Sequence, residues 1–195
     1  VASLVGSEMC IRDRCSSVSS VTVTVTENPT VDAGDDGDYC VGDALGGNPT
    51  ASGGSGGYSY SWSNFQLSDV NNSNPTLTGS TTGSFTYNLT VTDANNCVGT
   101  DAVVVTVYEN PVANAGDDGD YCVGATIGGS PAASGGGGNY TYSWSPGGGL
   151  SDATIGNPVL TTSATNMTYE LTVSDGNQCS SVSSVTVTVT ENPTV

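Results

Sequence analysis

Two acidic triplets and five regularly placed cysteines are the residues of this chain best suited to chemistry. Asp35, Asp36 and Asp38 fall within four positions among glycines, and Asp117, Asp118 and Asp120 repeat the arrangement. Hard carboxylate oxygens on a flexible loop suit calcium, although the twelve-residue frame and closing Glu of an EF-hand are missing. The ordinary alternative is a solvated turn whose aspartates hydrogen-bond nearby backbone. Cys40, Cys97, Cys122 and Cys179 fall at two places per repeat, and Cys15 precedes them in register. In an acidic chain without histidine, this pattern favours disulfides in an oxidising compartment over metal thiolates. The expected localisation is extracellular.

Catalytic constellations are missing from the sequence. There is no His or Lys, and the only cations are Arg12 and Arg14. Without His, no Ser can form a nucleophile–base pair of the hydrolase type. The glycine runs at 53–57 and 135–138 lack the GK[ST] of a phosphate loop. The aspartates lie in a repeated turn, whereas a glycosidase acid needs a cleft that raises its pKa. The reading is a non-enzyme that needs no cofactor, calcium apart. The formal net charge is −17, and from Cys15 onward every charged side chain is acidic. Such a surface excludes nucleic acid and anionic lipid as partners. No apolar run approaches the ~18 residues of a membrane helix, so no insertion is expected in this segment.

The elements that must position these residues follow from a repeat. Trp62, Cys40 and Cys97 recur 82 positions later as Trp144, Cys122 and Cys179. A fixed period marks an array of small domains. Two units are expected, at 27–108 and 109–190, with 191–195 starting a linker to another. Residues 15–31 recur unchanged as 179–195. Residues 15–26 therefore read as the last strand of a preceding unit, and the chain as a window on a longer array. That orphan strand is expected to be exposed, mobile, or paired opportunistically with an edge of the first unit. Residues 1–14 break the register, and GSEMCIRDR resembles translated sequencing-adapter read-through. That segment, with Cys10, is read as non-native and set aside.

Within a unit, Glu-Asn-Pro marks a linker or strand start. The stretch 33–40 reads as a loop, and 44–52 as a weak strand. The alternating segments 58–63 and 140–145 read as half-buried strands. A small strand is expected near 76–79, with further strands at 85–92 and 167–174, then 102–107 and 185–190. Trp62, Tyr87, Leu89 and Val91 form the expected core of one unit; Trp144, Tyr169, Leu171 and Val173 form that of the other. Tyr87 and Tyr169 either pack or make a tyrosine-corner hydrogen bond. The rival reading of the tryptophans is a sugar-stacking platform flanked by Tyr58, Tyr60, Tyr140 and Tyr142. The expected fold is all-β: two tandem immunoglobulin-like β-sandwich repeats of about 82 residues.

The order AGDD…YCxG, YSW, NP, TYxLTVxD, Cys and VTVTV resembles the PKD-like and Ig-like repeats of secreted Bacteroidota surface proteins, including gliding-associated adhesins. The resemblance covers both units. It implies a stalk or adhesive array on a cell surface, whose partners are neighbouring repeats of the same chain. The WDFGDG-type turn of the narrower PKD group does not follow the Trp. Two other roles compete: a glycan-binding module gripping surface glycans through Trp and Tyr, and accessory domains of a large secreted polysaccharide-degrading enzyme.

Two disulfide connectivities also compete. Pairing within units would join Cys40 to Cys97 and Cys122 to Cys179. In an Ig-like strand order, however, those positions lie at opposite ends of a unit, roughly 20 Å apart, whereas bonded Cα atoms lie within about 7 Å. Stacking brings the bottom of one unit to the top of the next, which favours Cys40–Cys179 across the junction. The same stacking would bring the Asp35–Asp38 loop toward Glu109 and Asp175 as an inter-unit calcium site.

Overall fold

A computed structural model describes residues 2–9, 16–63, 66–79, 81–162 and 166–191. Cys10, Cys15 and most of the adapter-like GSEMCIRDR string after Met9 lie outside them. The first unit contains β3 (Pro29–Val31), β4 (Gly37–Cys40), β5 (Ala51–Gly53), β6 (Ser59–Trp62), β7 (Gly83–Thr92) and β8 (Val98–Tyr108). The second repeats the order with β9 (Pro111–Ala113), β10 (Gly119–Cys122), β11 (Ala133–Gly135), β12 (Thr141–Ser145), β13 (Met167–Ser174) and β14 (Ser180–Thr190). Each unit is a sandwich. A four-stranded sheet, β4-β8-β7-β6 or β10-β14-β13-β12, packs on a two-stranded sheet, β3-β5 or β9-β11. The chain is therefore two tandem Ig-like β-sandwiches.

Alternation builds the faces. Along β8, Val103, Val105 and Val107 are buried while Val104 is 43% exposed; a strand's period of two sends alternate side chains to opposite faces. These valines meet Trp62, Tyr87, Leu89 and Val91 in one core, with Leu45 and Leu77 closing its end. Trp144, Tyr169, Leu171 and Val173 meet Val185, Val187 and Val189 in the other. Both tryptophans are 3% exposed. Their indole N–H groups donate to the carbonyls of Asn72 and Ile155, at 3.0 and 2.9 Å. The expected strand near 76–79 is reduced to bridges, Thr76 with Ala44 and Leu77 with Leu67.

One expected loop is a strand. Residues 37–40 pair parallel with the end of β8, Gly37 opposite Val105 and Cys40 opposite Tyr108. The glycine and aspartate content argued against a strand, but the Asp36 carboxylate accepts the Val104 N–H at 2.7 Å and starts the ladder. Asp118 does the same for Thr186 N–H at 2.6 Å. Gly99 makes room for the first strand of its unit: a Cβ there would lie 2.2 Å from the Pro29 carbonyl oxygen.

The N-terminal strand is exposed, with a different pairing partner from the one expected. β2 (Ser16–Val23) pairs antiparallel with β1 (Ala2–Met9), Val23 opposite Ala2, and not with an edge of the first unit. An open strand edge is a template for backbone pairing, and β1 supplies the partner here. The pairing leaves Val21, Val23 and Val25 at 58%, 41% and 70% exposure, whereas their sequence equivalents Val185, Val187 and Val189 show 1%, 0% and 2%.

The two core tyrosines offer a matched test. Tyr169 Oη donates to the Gly148 carbonyl at 3.1 Å, while the buried Tyr87 hydroxyl has no partner among the described residues. Tyr169→Phe should cost about 1 kcal/mol, the usual worth of such a bond, and Tyr87→Phe should cost less or nothing. Chemical denaturation of the two variants checks the order; equal losses would contradict it.

Candidate functional site

The site that the fold builds is the junction between the units. β8 has eleven residues, so its ends lie about 36 Å apart. Cys40 is opposite Tyr108 at its C-terminal end, and Cys97 immediately precedes its first residue. These two cysteines of one unit cannot meet. Cys179, at the start of β14, belongs to the top of the second unit, and its sulfur is bonded to that of Cys40 with Cα atoms 5.5 Å apart. The rival within-unit pairings are not formed: Cys97 and Cys122 are free thiols.

A hydrogen bond adds to the junction, and a cleft lies within it. Asn110, in the linker, donates its Nδ2 to the Val41 carbonyl at 2.9 Å, beside the disulfide. A cleft of about 460 Å³ lies where Tyr108 at the end of β8 and Glu109 of the linker face Gly136 and Asn177 of the second unit. Linker and upper turns are thus brought together, as stacking requires.

The turn that carries each upper cysteine is held by a buried aspartate. Asp175 Oδ1 accepts the N–H groups of Asn177 and Cys179, at 2.9 and 3.0 Å, and Oδ2 accepts that of Gly137 at 2.6 Å. Asp93 does the same for Asn95, Cys97 and Ser55, at 2.9, 2.9 and 2.8 Å. Asn96 and Gln178 close these turns at φ of 62° and 67°. Each carboxylate therefore ties the cysteine turn to the glycine-rich turn beyond β5 or β11. The Ser55 N–H, more than any other group, holds the Asp93 carboxyl below the usual carboxylate range, with the Cys97 and Asn95 N–H groups adding to it. The sequence pointed to Asp175 as a calcium ligand and to Asp93 only as the end of TYxLTVxD; the place of each ahead of a cysteine was the available signal for the turn.

The carboxylates of the expected calcium site do not form a ready-made cluster among the described residues. Asp35, Asp36, Asp38, Glu109 and Asp175 are not gathered round one point, nor are Asp117, Asp118 and Asp120. Among the described residues no group of three carboxylate, cysteine or histidine side chains is placed to hold a metal. Three of these carboxylates accept backbone donors. Asp36 and Asp118 cap sheet edges, and Asp175 is occupied by its turn. The Asp35 and Asp117 carbonyls accept the hydroxyls of Tyr39 and Tyr121, at 2.8 and 2.6 Å. Burial, then the Asp35, Asp43 and Asp36 carboxylates, raise the Tyr39 pKa and keep its hydroxyl a donor. The sugar platform is likewise not formed by the tryptophans, whose faces are buried. Tyr58, Tyr60, Tyr140 and Tyr142 are half-buried and pack against the cores.

Two measurements probe this site. Cys40→Ser and Cys179→Ser should each destabilise the oxidised chain, by up to about 5 kcal/mol in the chain-entropy model for closure over 139 positions. Cys122→Ser, at an exposed thiol, should leave melting unchanged; an equal loss there would contradict the assignment. Asp93 gives a pH signature. Because its folded pKa is depressed, its contribution is present above the unfolded value of ~3.9 and is lost as pH falls through the lower folded value. Asp93→Asn should therefore melt lower than the parent at pH 7, and the gap should narrow below about pH 4. A pH-independent gap would refute the role of its charge.

Similarities to known proteins bear on the units rather than the junction. No curated protein matches the chain. Among solved structures, the PKD domain from KIAA 1837 protein is 26% identical, covering 45% of this chain and 93% of that one at a TM-score of 0.35. An I-band fragment of titin is 12% identical, covering 87% and 67% at 0.32. A mouse cadherin-23 fragment is 16% identical, covering 85% and 65% at 0.35. The family model described as K319L-like, PKD domain matches residues 45–107, so the greater part of the first unit is similar in sequence to a PKD domain.

Proposed function

We propose that the chain is a segment of the stalk of an exported bacterial cell-surface adhesin, with a mechanical and non-catalytic role. The observation that carries this reading is the disulfide that joins two successive units, Cys40 to Cys179. Disulfides persist in oxidising surroundings, which supports an extracellular setting. The wholly acidic surface of both units supports the same setting.

The position of the bond determines what it does under tension. Eleven positions separate Pro29 from Cys40, and eleven separate Cys179 from Thr190. A pull between Pro29 and Thr190 therefore meets a covalent path of some 22 residues, about 80 Å at full extension. Without the bond, the same ends would separate by about 560 Å on unfolding. β8 and β14, eleven residues each, have a summed length of about 72 Å. The covalent path is thus only slightly longer than the two strands, and unfolding of either unit would barely lengthen the stalk.

Single-molecule pulling from the two termini tests this. Oxidised protein should stretch without long unfolding steps. Reduction should add about 480 Å of extensible chain, the span between the two cysteines. Long steps in molecules whose Cys40–Cys179 bond is intact would overturn the reading.

A further inference from the structure

We infer that Cys97 and Cys122 are the attachment points of further copies of this repeat, and that the bonds so formed make two interleaved covalent cables along the array. The inference rests on the stalk reading above and extends it to units beyond these two.

The rule comes from the bond already formed. The cysteine ending the parallel edge strand of one unit joins the cysteine opening the last strand of the next. Cys122 ends β10 as Cys40 ends β4, and it pairs opposite Thr190 at the foot of the second unit. It is an exposed thiol. By the same rule its partner is the Cys179 counterpart of a following copy. Cys97 opens β8 as Cys179 opens β14, so its partner is the Cys40 counterpart of a preceding copy. An independent contact locates that copy. Thr26, whose sequence neighbourhood repeats the end of β14, lies with its Oγ1 3.1 Å from Cys97 Sγ. The end of a preceding last strand therefore already rests on the turn that holds Cys97. Tyr108, the corresponding position at the other junction, faces Asn177 two residues before Cys179.

The consequence is in the connectivity. Cys97 and Cys122 are 25 positions apart, and the stretch between them is β8, the linker, β9 and β10. β10 runs parallel to β14, so this stretch descends from the top of the first unit to the foot of the second. At full extension it measures about 88 Å. It would link one bond above to one bond below, while Cys40–Cys179 belongs to the alternate set. Each cable would then advance two units per 25 residues. Heterologous contacts of this kind propagate without closing.

Bond formation is a two-electron oxidation. The Cys122 and partner thiols lose two protons and two electrons as their S–S bond forms, and a low-molecular-weight disulfide such as oxidised glutathione takes these up as two thiols. The test appends a copy of residues 109–190 after Thr190, oxidises the three-unit chain with glutathione disulfide, and maps its non-reduced peptides. The expected result is Cys122 bonded to the Cys179 counterpart in the appended copy, beside an intact Cys40–Cys179 bond. Cys179→Ser in the appended copy alone should return Cys122 to full alkylation. Cys122 alkylating fully while Cys40–Cys179 is intact would overturn the inference and leave the stalk reading standing. Failure of Cys40–Cys179 itself to form would overturn both.

Discussion

The length of the last strand in each unit is the constraint on which the rest depends. β8 and β14 pair along one edge with β7 or β13 and along the other with β4 or β10, so the four-stranded sheet has its axis there. Their inward valines supply one wall of each core. Their length keeps the two cysteines of a unit about 36 Å apart, far beyond disulfide reach. A shorter strand would have allowed a unit to close on itself. With eleven residues, an edge-strand cysteine can only be satisfied by the next domain, and a local feature of strand length becomes a property of the array.

The same residues illustrate what a sequence does not decide alone. Residues 15–31 and 179–195 are identical, yet Val21, Val23 and Val25 are exposed where Val185, Val187 and Val189 are buried. Alternation of Val with Thr makes both segments strands, because β-branched side chains suit a pleated surface. Burial needs the opposing sheet: in the second unit Trp144, Leu171 and Val173 complete the core, and β2 has no such companions among the described residues. Strand propensity is local, and the hydrophobic stabilisation of a strand is not.

This separates what was legible in the chain from what was not. The period, the alternating strands, the buried tryptophans and the end-to-end logic of the cysteines could be read directly, because each depends on pattern or on length. The Gly37–Cys40 strand could not. Its composition is that of a turn, and it forms because an existing edge on β8 offers parallel pairing, with Asp36 closing the gap. The acidic triplets show a related use of backbone. From Cys15 onward the chain has no Lys, Arg or His, so its carboxylates can turn only to backbone N–H groups, hydroxyls, amides or solvent. Asp36, Asp93, Asp118 and Asp175 all accept backbone N–H groups. One member of each acidic triplet serves as an edge cap, and Asp93 and Asp175 serve as turn anchors.

That use of acid side chains connects to the mechanical argument. Units of about 82 residues with narrow cores are expected to be marginally stable, and an acidic surface adds self-repulsion to each. In an ordinary tandem array, a unit that opens under load lengthens the whole, so each must resist alone. In the proposed stalk, force would run from β4 through the Cys40–Cys179 bond into β14, and the cores would lie largely off it. A unit that opened would stay shielded from extension between its anchored ends, and refolding would begin from a closed loop of reduced entropy. On the proposed stalk role, the bond would relax the stability demanded of each small, glycine-rich and uniformly acidic sandwich.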